Sequence, residues 1–300
     1  MTSALRITAL VFTLIGTLAF VLRARQMYLR IKRGQPDPRP GNLKATIREI
    51  LLHTKLSRFT IPGVAHWFVM VGFVALLGTL IQAIGQLFAA DFVLPIIGHL
   101  SAYRYFNLFI ASTTGFGIIL LILIRQLNRW FHINRTSRFL GSKSWKAYYV
   151  EATILAVVVC VIALDIYEHQ NYLNTVAIQN WASAKVIISM LWFVVIASDL
   201  TMGVAWHRFL APFNLYFKRR PDALGPLPQM ISHGQPINFE DPKEDDIFGI
   251  GKAADISWKG LLDMASCTEC GRCQSQCPAW HTEKPLSPKL LIMAMRDHAL

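Results

Sequence analysis

Five long apolar runs separate short, mostly basic segments: Leu5 to Leu22, Thr60 to Phe88, Tyr105 to Ile124, Tyr148 to Ile166 and Ala184 to His207. A helix needs about 20 apolar residues to cross a bilayer. Inside lipid it must satisfy every backbone group within its own segment. The pattern therefore specifies an all-α membrane protein with five transmembrane helices. Composition agrees, with 53% hydrophobic and 16% charged residues, against about 25% charged in an average soluble domain. The net charge of +12 is a reason to consider nucleic acid. The apolar runs assign it instead to loops beside membrane lipid, and no nucleic-acid partner is expected.

The sign of the loops sets an expected orientation. Arg23, Arg25, Arg30, Lys32, Arg33, Arg39, Lys44, Arg48, Lys55 and Arg58 follow the first run. Arg125, Arg129, Arg135, Arg138, Lys143 and Lys146 follow the third, and Arg208, Lys218, Arg219 and Arg220 follow the fifth. Basic loops stay in the cytoplasm, which gives N-out and C-in in a cell (inner or plasma) membrane. Leu43, Ile47, Ile50 and Leu51 share one helical face and predict a short helix on the membrane surface. The expected domains are a five-span membrane domain over 1–220, a Pro-, Gly- and acid-rich cytoplasmic linker over 221–255, and the first part of a ferredoxin-like module over 256–300.

That last segment carries Cys267-Thr-Glu-Cys270-Gly-Arg-Cys273-Gln-Ser-Gln-Cys277-Pro278. One C-x2-C-x2-C-x3-C-P run is the spacing that wraps thiolates around a [4Fe-4S] cluster. Zinc is the rival, but structural zinc sites usually pair a short Cys motif with a second, distant ligand pair. In two-cluster ferredoxins the fourth cysteine serves the other cluster. Cys267, Cys270 and Cys273 are thus expected to hold one cluster, with Cys277 reaching for a second. The fifth cysteine, Cys160, lies within an apolar run and reads as a packing residue. Ile256 to Ala265 predicts a short helix delivering Cys267. Ser287-Pro288 predicts a cap and first turn for a helix over Lys289 to Leu300. That helix ends with the chain, which suggests a fragment of a longer protein with two clusters.

His66, near the start of the second run, and His207, ending the fifth, come to a similar depth on one side. Imidazoles in a bundle core can hold haem iron; each is equally readable as an interfacial histidine bonded to a carbonyl. Asp199, eight residues before His207, reads in two ways. It serves a quinone or proton path, as a catalytic candidate, or it pairs with a base such as Arg125 or caps an irregularity near Gly203. Glu151 is a weaker candidate at the start of the fourth span. His53 and His132 read as solvated, and Glu168 and His169 as parts of a polar loop.

The segment Pro62-Gly-Val-Ala-His66-Trp-Phe-Val-Met-Val-Gly-Phe73, with His207-Arg-Phe-Leu-Ala-Pro212-Phe-Asn214, resembles the cytochrome b subunit of respiratory nitrate reductase and its relatives. The cysteine run and Lys284-Pro-Leu-Ser-Pro-Lys289 resemble iron–sulfur reductases that fuse this domain to a heterodisulfide-reductase-like module, in particular the actinobacterial electron-transfer-flavoprotein:menaquinone oxidoreductases. The resemblance implies His66 and His207 as ligands of one haem b. A second pair in the nitrate reductase pattern falls on Leu76 and Ser189, which cannot ligate iron. It further implies electron transfer from a soluble cytoplasmic flavoprotein donor through [4Fe-4S] and haem b to menaquinone between the second and fifth spans. Two rivals are quinol oxidation feeding a cytoplasmic disulfide or sulfur-compound reductase, and a membrane anchor whose cluster senses redox state or stabilises a complex.

Overall fold

The computed structural model describes residues 2–54, 56–57, 60–131, 137–169, 174–218 and 229–300. His132, Lys55, Arg58, Arg135, Arg219, Arg220 and the first part of the linker lie outside the described residues. Five helices or helix pairs are long and apolar enough to cross a membrane: α1 (Thr2–Lys32), α3 (Thr60–Ala75) continuing into α4 (Leu77–Gln86), α5 (Ser101–Phe131), α6 (Ser144–Glu168) and α7 (Thr175–Ser198). The short α2 (Leu43–Leu52) precedes α3, and α8 (Gly203–Tyr216) follows α7. Beyond them lie a two-residue-per-strand hairpin, β1 (Ile231–Ser232) with β2 (Gln235–Pro236), and the helices α9 (Trp258–Ala265), α10 (Pro278–His281) and α11 (Pro288–Ala299).

The bundle leaves Ile7, Leu14, Leu18, Phe109 and Phe116 outward, an apolar exterior suited to lipid and not to water. With little hydrophobic drive between helices in lipid, close approach comes from small residues. A methyl group at Gly72 would strike the side chain of Thr114, and one at Gly117 would lie 2.8 Å from the carbonyl of Ala65. Those two glycines let α3 and α5 touch. α2 matches expectation as an amphipathic piece, with Leu43, Ile47 and Leu51 exposed. Its N-cap Asn42 accepts from Ala45 N at 3.0 Å.

The fifth span departs from expectation. It starts at Thr175 and ends at Ser198, and His207 belongs to the separate helix α8. Polar Gln179 and Asn180 hide its start in the sequence, and a built break over 199–202 ends it early. Asp199 accepts from Thr201 N at 2.8 Å and Thr201 Oγ1 at 2.7 Å, and it pairs with Lys146 Nζ at 2.6 Å. Trp206 Nε1 donates to the carbonyls of Ile196 and Asp199, both at 3.1 Å. Helix ends leave such carbonyls without partners, and each one buried unpaired costs about 1–3 kcal/mol. Arg125, expected beside Asp199, pairs instead with buried Glu151. Glu168 is the last residue of α6, not a loop residue, and accepts from Gln86 Nε2 at 2.6 Å.

The C-terminal segment joins the bundle directly. Leu261, Leu262, Met264 and Ala265 of α9 share one buried cluster with Met27, Ile31, Trp192, Ile196 and Trp206. Gln35 N donates to Ile256 O at 2.9 Å, and Trp258 N donates to Gln35 O at 3.1 Å. As expected, α9 delivers Cys267; its N-cap Ser257 accepts from Gly260 N at 3.1 Å. Ser287 caps α11 with Pro288 in its first turn, accepting from Leu290 N at 3.2 Å.

Candidate functional site: a cysteine loop beside a histidine cluster

The four cysteines of the motif lie between α9 and α10, on a loop laid against the connection between α5 and α6. Arg138 Nε donates to Cys270 O at 3.0 Å, and Ser142 Oγ to Glu269 O at 3.4 Å. Two left-handed residues bend the loop, Glu269 at φ 59° and Gly271 at φ 72°. At Gly271 the bend also brings the backbone against the Arg138 carbonyl, where a side chain would collide.

Two buried cations brace the same loop. Arg296 on α11, 1% exposed, donates to Glu269 Oε1 at 2.9 Å and Cys267 O at 3.3 Å. Lys289, also 1% exposed, donates to Ser142 Oγ at 2.8 Å and Arg138 O at 3.2 Å. Burial lowers the Lys289 ammonium, while Glu269 and the thiols of Cys267, Cys270 and Cys273 act to raise it. Burial pushes the Cys267 thiol up. No three His, Cys, Asp or Glu side chains among the described residues converge as they stand on one metal position. The fit to a cluster rests on the donor set itself, four thiols in cluster order on a tight, cation-lined loop.

Across the Asp199 break, α8 starts against this loop. The Cα of Gly203 abuts the carbonyl oxygen of Cys267. One turn later His207 Nδ1 lies 3.2 Å from Gly203 O. The His207 ring centre is 6.3 Å from that of His66 on α3. His66 Nδ1 lies 3.2 Å from His53 Nε2, and His53 Nδ1 lies 3.1 Å from Ile50 O. His53 is thus not the solvated residue expected. It sits at the left-handed C-cap of α2, φ 47°, where the chain reverses into α3, so the end of one helix meets the start of the next. A histidine at the end of an amphipathic helix, a few residues before a span, was the available signal.

These contacts fix tautomers. A carbonyl oxygen only accepts, so His53 and His207 each carry their proton on Nδ1. Where the His53 ring carries only that proton, its Nε2 accepts and His66 Nδ1 donates. In that state both His66 and His207 are left with a bare Nε2, the form that binds a metal, each oriented through its other nitrogen as metal-ligating histidines are. His66 and His207 would be the two residues to hold a metal-centred group there. Enclosure by protein, with Arg208 and His66 adjacent, pushes the His207 imidazole down to about 3 and keeps it neutral.

An apolar groove of about 110 Å3 lies within the bundle, lined by Phe73, Leu76, Ser189, Trp192, Phe193 and Arg208, the neighbour of His207, among others. The Arg208 guanidinium carbon lies 5.1 Å from the ring centres of both Phe73 and Trp192. Leu76 and Ser189, the positions of the missing second pair, both face this groove. Asp199 lies apart from the histidine pair in its contacts, held by Lys146 and Thr201. Cys160 is buried, as a packing residue should be.

No family model matches the chain, and no solved structure is similar to it. Its sequence is 27% identical over 270 residues to a probable membrane-anchored ferredoxin of Chromohalobacter salexigens, covering 88% of this chain and 37% of that protein. It is 40% identical over 92 residues to the probable iron-sulfur-binding oxidoreductase FadF of Bacillus subtilis, covering 31% of this chain and 12% of the relative. It is 39% identical over 94 residues to the EtfAB:quinone oxidoreductase of Syntrophomonas wolfei, with shares of 31% and 12%. The chain thus spans little more than a third of the first relative's length.

Proposed function

We propose that this chain is the membrane part of an iron–sulfur oxidoreductase that passes electrons from a soluble cytoplasmic flavoprotein to menaquinone. The observation that carries the reading is the His66–His207 pair, with ring centres 6.3 Å apart. The names of the relatives support it, since they include an iron-sulfur-binding oxidoreductase and a quinone oxidoreductase. Cys267, Cys270, Cys273 and Cys277 would hold the [4Fe-4S] chemistry, with Cys277 serving a second cluster, and His66 and His207 would hold one haem b. When bound, these groups supply one-electron chemistry.

The residues of the chain supply position and charge. Gly203 lets the cysteine loop and α8 meet without an intervening side chain. Arg138, Lys289 and Arg296 offset the negative charge that thiolate ligands bring. His53 and Gly203 O orient the imidazoles. The groove between α3–α4 and α7 offers apolar and aromatic walls for a quinone ring, with cationic Arg208 on its lining. Asp199, first considered for proton or quinone chemistry, is assigned a holding role at the break beside Lys146. The cysteine end is cytoplasmic in this reading, because the loops gathered there carry Arg30, Lys32, Arg33, Arg138 and Lys143, and basic loops stay inside.

The test is spectroscopic. Metal-replete natural protein in membranes should give a reduced-minus-oxidised b-type spectrum and the paramagnetic signal of a reduced [4Fe-4S] cluster. His66→Ala and His207→Ala should each remove the first and keep the second. Absence of the b-type spectrum from the unaltered protein overturns the haem assignment.

A further inference from the structure

Lys185 is a buried charge within the bundle. It lies in the middle of α7, is 1% exposed, and donates to Thr79 Oγ1 at 2.5 Å. No carboxylate lies within ion-pair distance of it among the described residues. An ammonium has three donors, and a charge inside a membrane span is a functional group by default. Its surroundings point to the use.

Lys185 lines two cavities of opposite character. On one side is the apolar groove, where Phe73, Trp192 and Phe193 offer aromatic walls to a flat ring. On the other is a polar cavity of about 250 Å3 at the end of the bundle away from the cysteines. At about 30 Å3 per molecule, that volume admits several waters. Three buried polar atoms on residues lining it lack a protein partner: Gln86 Oε1, Tyr103 OH and Asn107 Oδ1. Native structures rarely leave such atoms unsatisfied, and water or a ligand usually accounts for them. The titratable and charged groups around the cavity are Asp91, Tyr103, Arg104, Asp165, Glu168 and His169. Arg104 grips Asp165 with two bonds of 2.8 and 3.0 Å, and Gln86 and Gln82 hold Glu168. His169 stands at the end of α6, its side chain 39% exposed.

We infer that Lys185 is the proton donor to a quinone bound in the apolar groove, and that the polar cavity is the hydrated route by which this lysine exchanges protons with the end of the bundle away from the cysteines. The inference rests on the quinone reading above. A quinone becomes a quinol by gaining two electrons and two protons. The electrons would be supplied by the iron groups that the cysteines and the histidine pair would hold. At the quinone oxygen facing Lys185 an N–H bond of the lysine breaks as an O–H bond forms, and a second such transfer, after the amine is reprotonated, reaches the other oxygen through water. The neutral amine then takes a proton from cavity water, which Glu168 and His169 exchange with the exterior. Quinol oxidation runs the same route backwards.

The experiment uses the complete natural protein in liposomes, with 2,3-dimethyl-1,4-naphthoquinone in the bilayer and reduced methyl viologen as electron source. A pH dye inside the vesicles reports which compartment loses protons, and fluorescence titration with a hydroxyquinoline N-oxide reports binding in the groove. Lys185→Met should slow quinone reduction about 100-fold, the scale of one general acid. It should also weaken the N-oxide about tenfold or more, the loss of a hydrogen bond to a charged group. Glu168→Gln should lower kcat with KM and N-oxide binding unchanged, and should flatten the dependence of kcat on pH. In the unaltered protein, protons should vanish from the compartment facing Glu168. Proton loss from the cysteine side, or Lys185→Met matching the unaltered protein in rate and binding, overturns the inference. If Lys185→Met does not fold, Glu168→Gln with an unaltered kcat and pH profile overturns it alone. If the unaltered protein reduces no quinone at all, the functional reading fails first, and the two failures are told apart.

Discussion

Gly203 and Cys267 meet backbone to backbone: the glycine's Cα is packed on the cysteine's carbonyl oxygen with no room for a methyl group. The contact couples the helix bearing His207 to the loop bearing the thiols. Gly203→Ala should therefore push α8 off the loop. Overpacking of this kind costs about 1–3 kcal/mol. A lowered thermal midpoint in detergent, together with slower reduction of the b-type centre from the cysteine side, would register both consequences. An alanine variant with wild-type stability and rate would show the contact to be slack.

His53 should matter to a site it does not itself ligate. Removing it leaves His66 Nδ1 without its acceptor, and loss of such orienting partners typically costs 10–100-fold in metal affinity. His53→Ala should purify with depleted haem. His53→Gln, whose amide oxygen can take the same bond, should recover part of it. Equal haem content in all three proteins would remove His53 from the site.

The Lys146–Asp199 pair sets an expectation for acid. Burial acts to raise the Asp199 carboxyl, but hydrogen bonds from Lys146 and Thr201 outweigh it and hold the group below its ordinary value. A carboxyl depressed in the folded state stabilises above its unfolded pKa, and that stability is lost as pH falls through the folded value. Thermal midpoints of the natural protein should therefore fall in acid, below about pH 4. Asp199→Asn should be less stable by about 1–3 kcal/mol at neutral pH, since Lys146 is left buried and unpaired, and the gap should close in acid. Quinone turnover per folded molecule should stay unchanged.

Arg296 is buried among Glu269, Asp297 and the Cys267 carbonyl. Breaking a buried pair from one side costs roughly 3–5 kcal/mol. Arg296→Met should therefore unseat α11 from the cysteine loop and abolish the reduced-cluster signal, while the b-type spectrum, tied to α3 and α8, survives. Loss of both signals together would mean that the helix pair depends on α11 as well.

The sequence was most informative where one physical rule acts alone. Span number followed from hydropathy, the cysteine loop from ligand spacing, and the start of α11 from Ser287-Pro288. It was least informative where tertiary contacts decide. The end of the fifth span looked apolar enough to run on to His207, yet Asp199, Thr201 and Trp206 together satisfy a backbone break there, and three residues so arranged leave no periodic trace. His53 looked solvated because its partner, His66, lies beyond a chain reversal. Lys185 sat inside the apolar run read as the fifth span, and its exceptional place, between two cavities walled by helices from α3 to α8, exists only once those helices are packed.

The pairing of Gln35 with the residues entering α9, and the burial of α9 among α1, α7 and α8, have a mechanical consequence. The cysteine loop is welded to the bundle and does not travel on a tether. In the electron transfer proposed above, a redox partner would have to come to it and dock, because the loop is held against the bundle. Transfer within the chain should then be indifferent to solvent viscosity, and only the encounter with the partner should slow as the medium thickens.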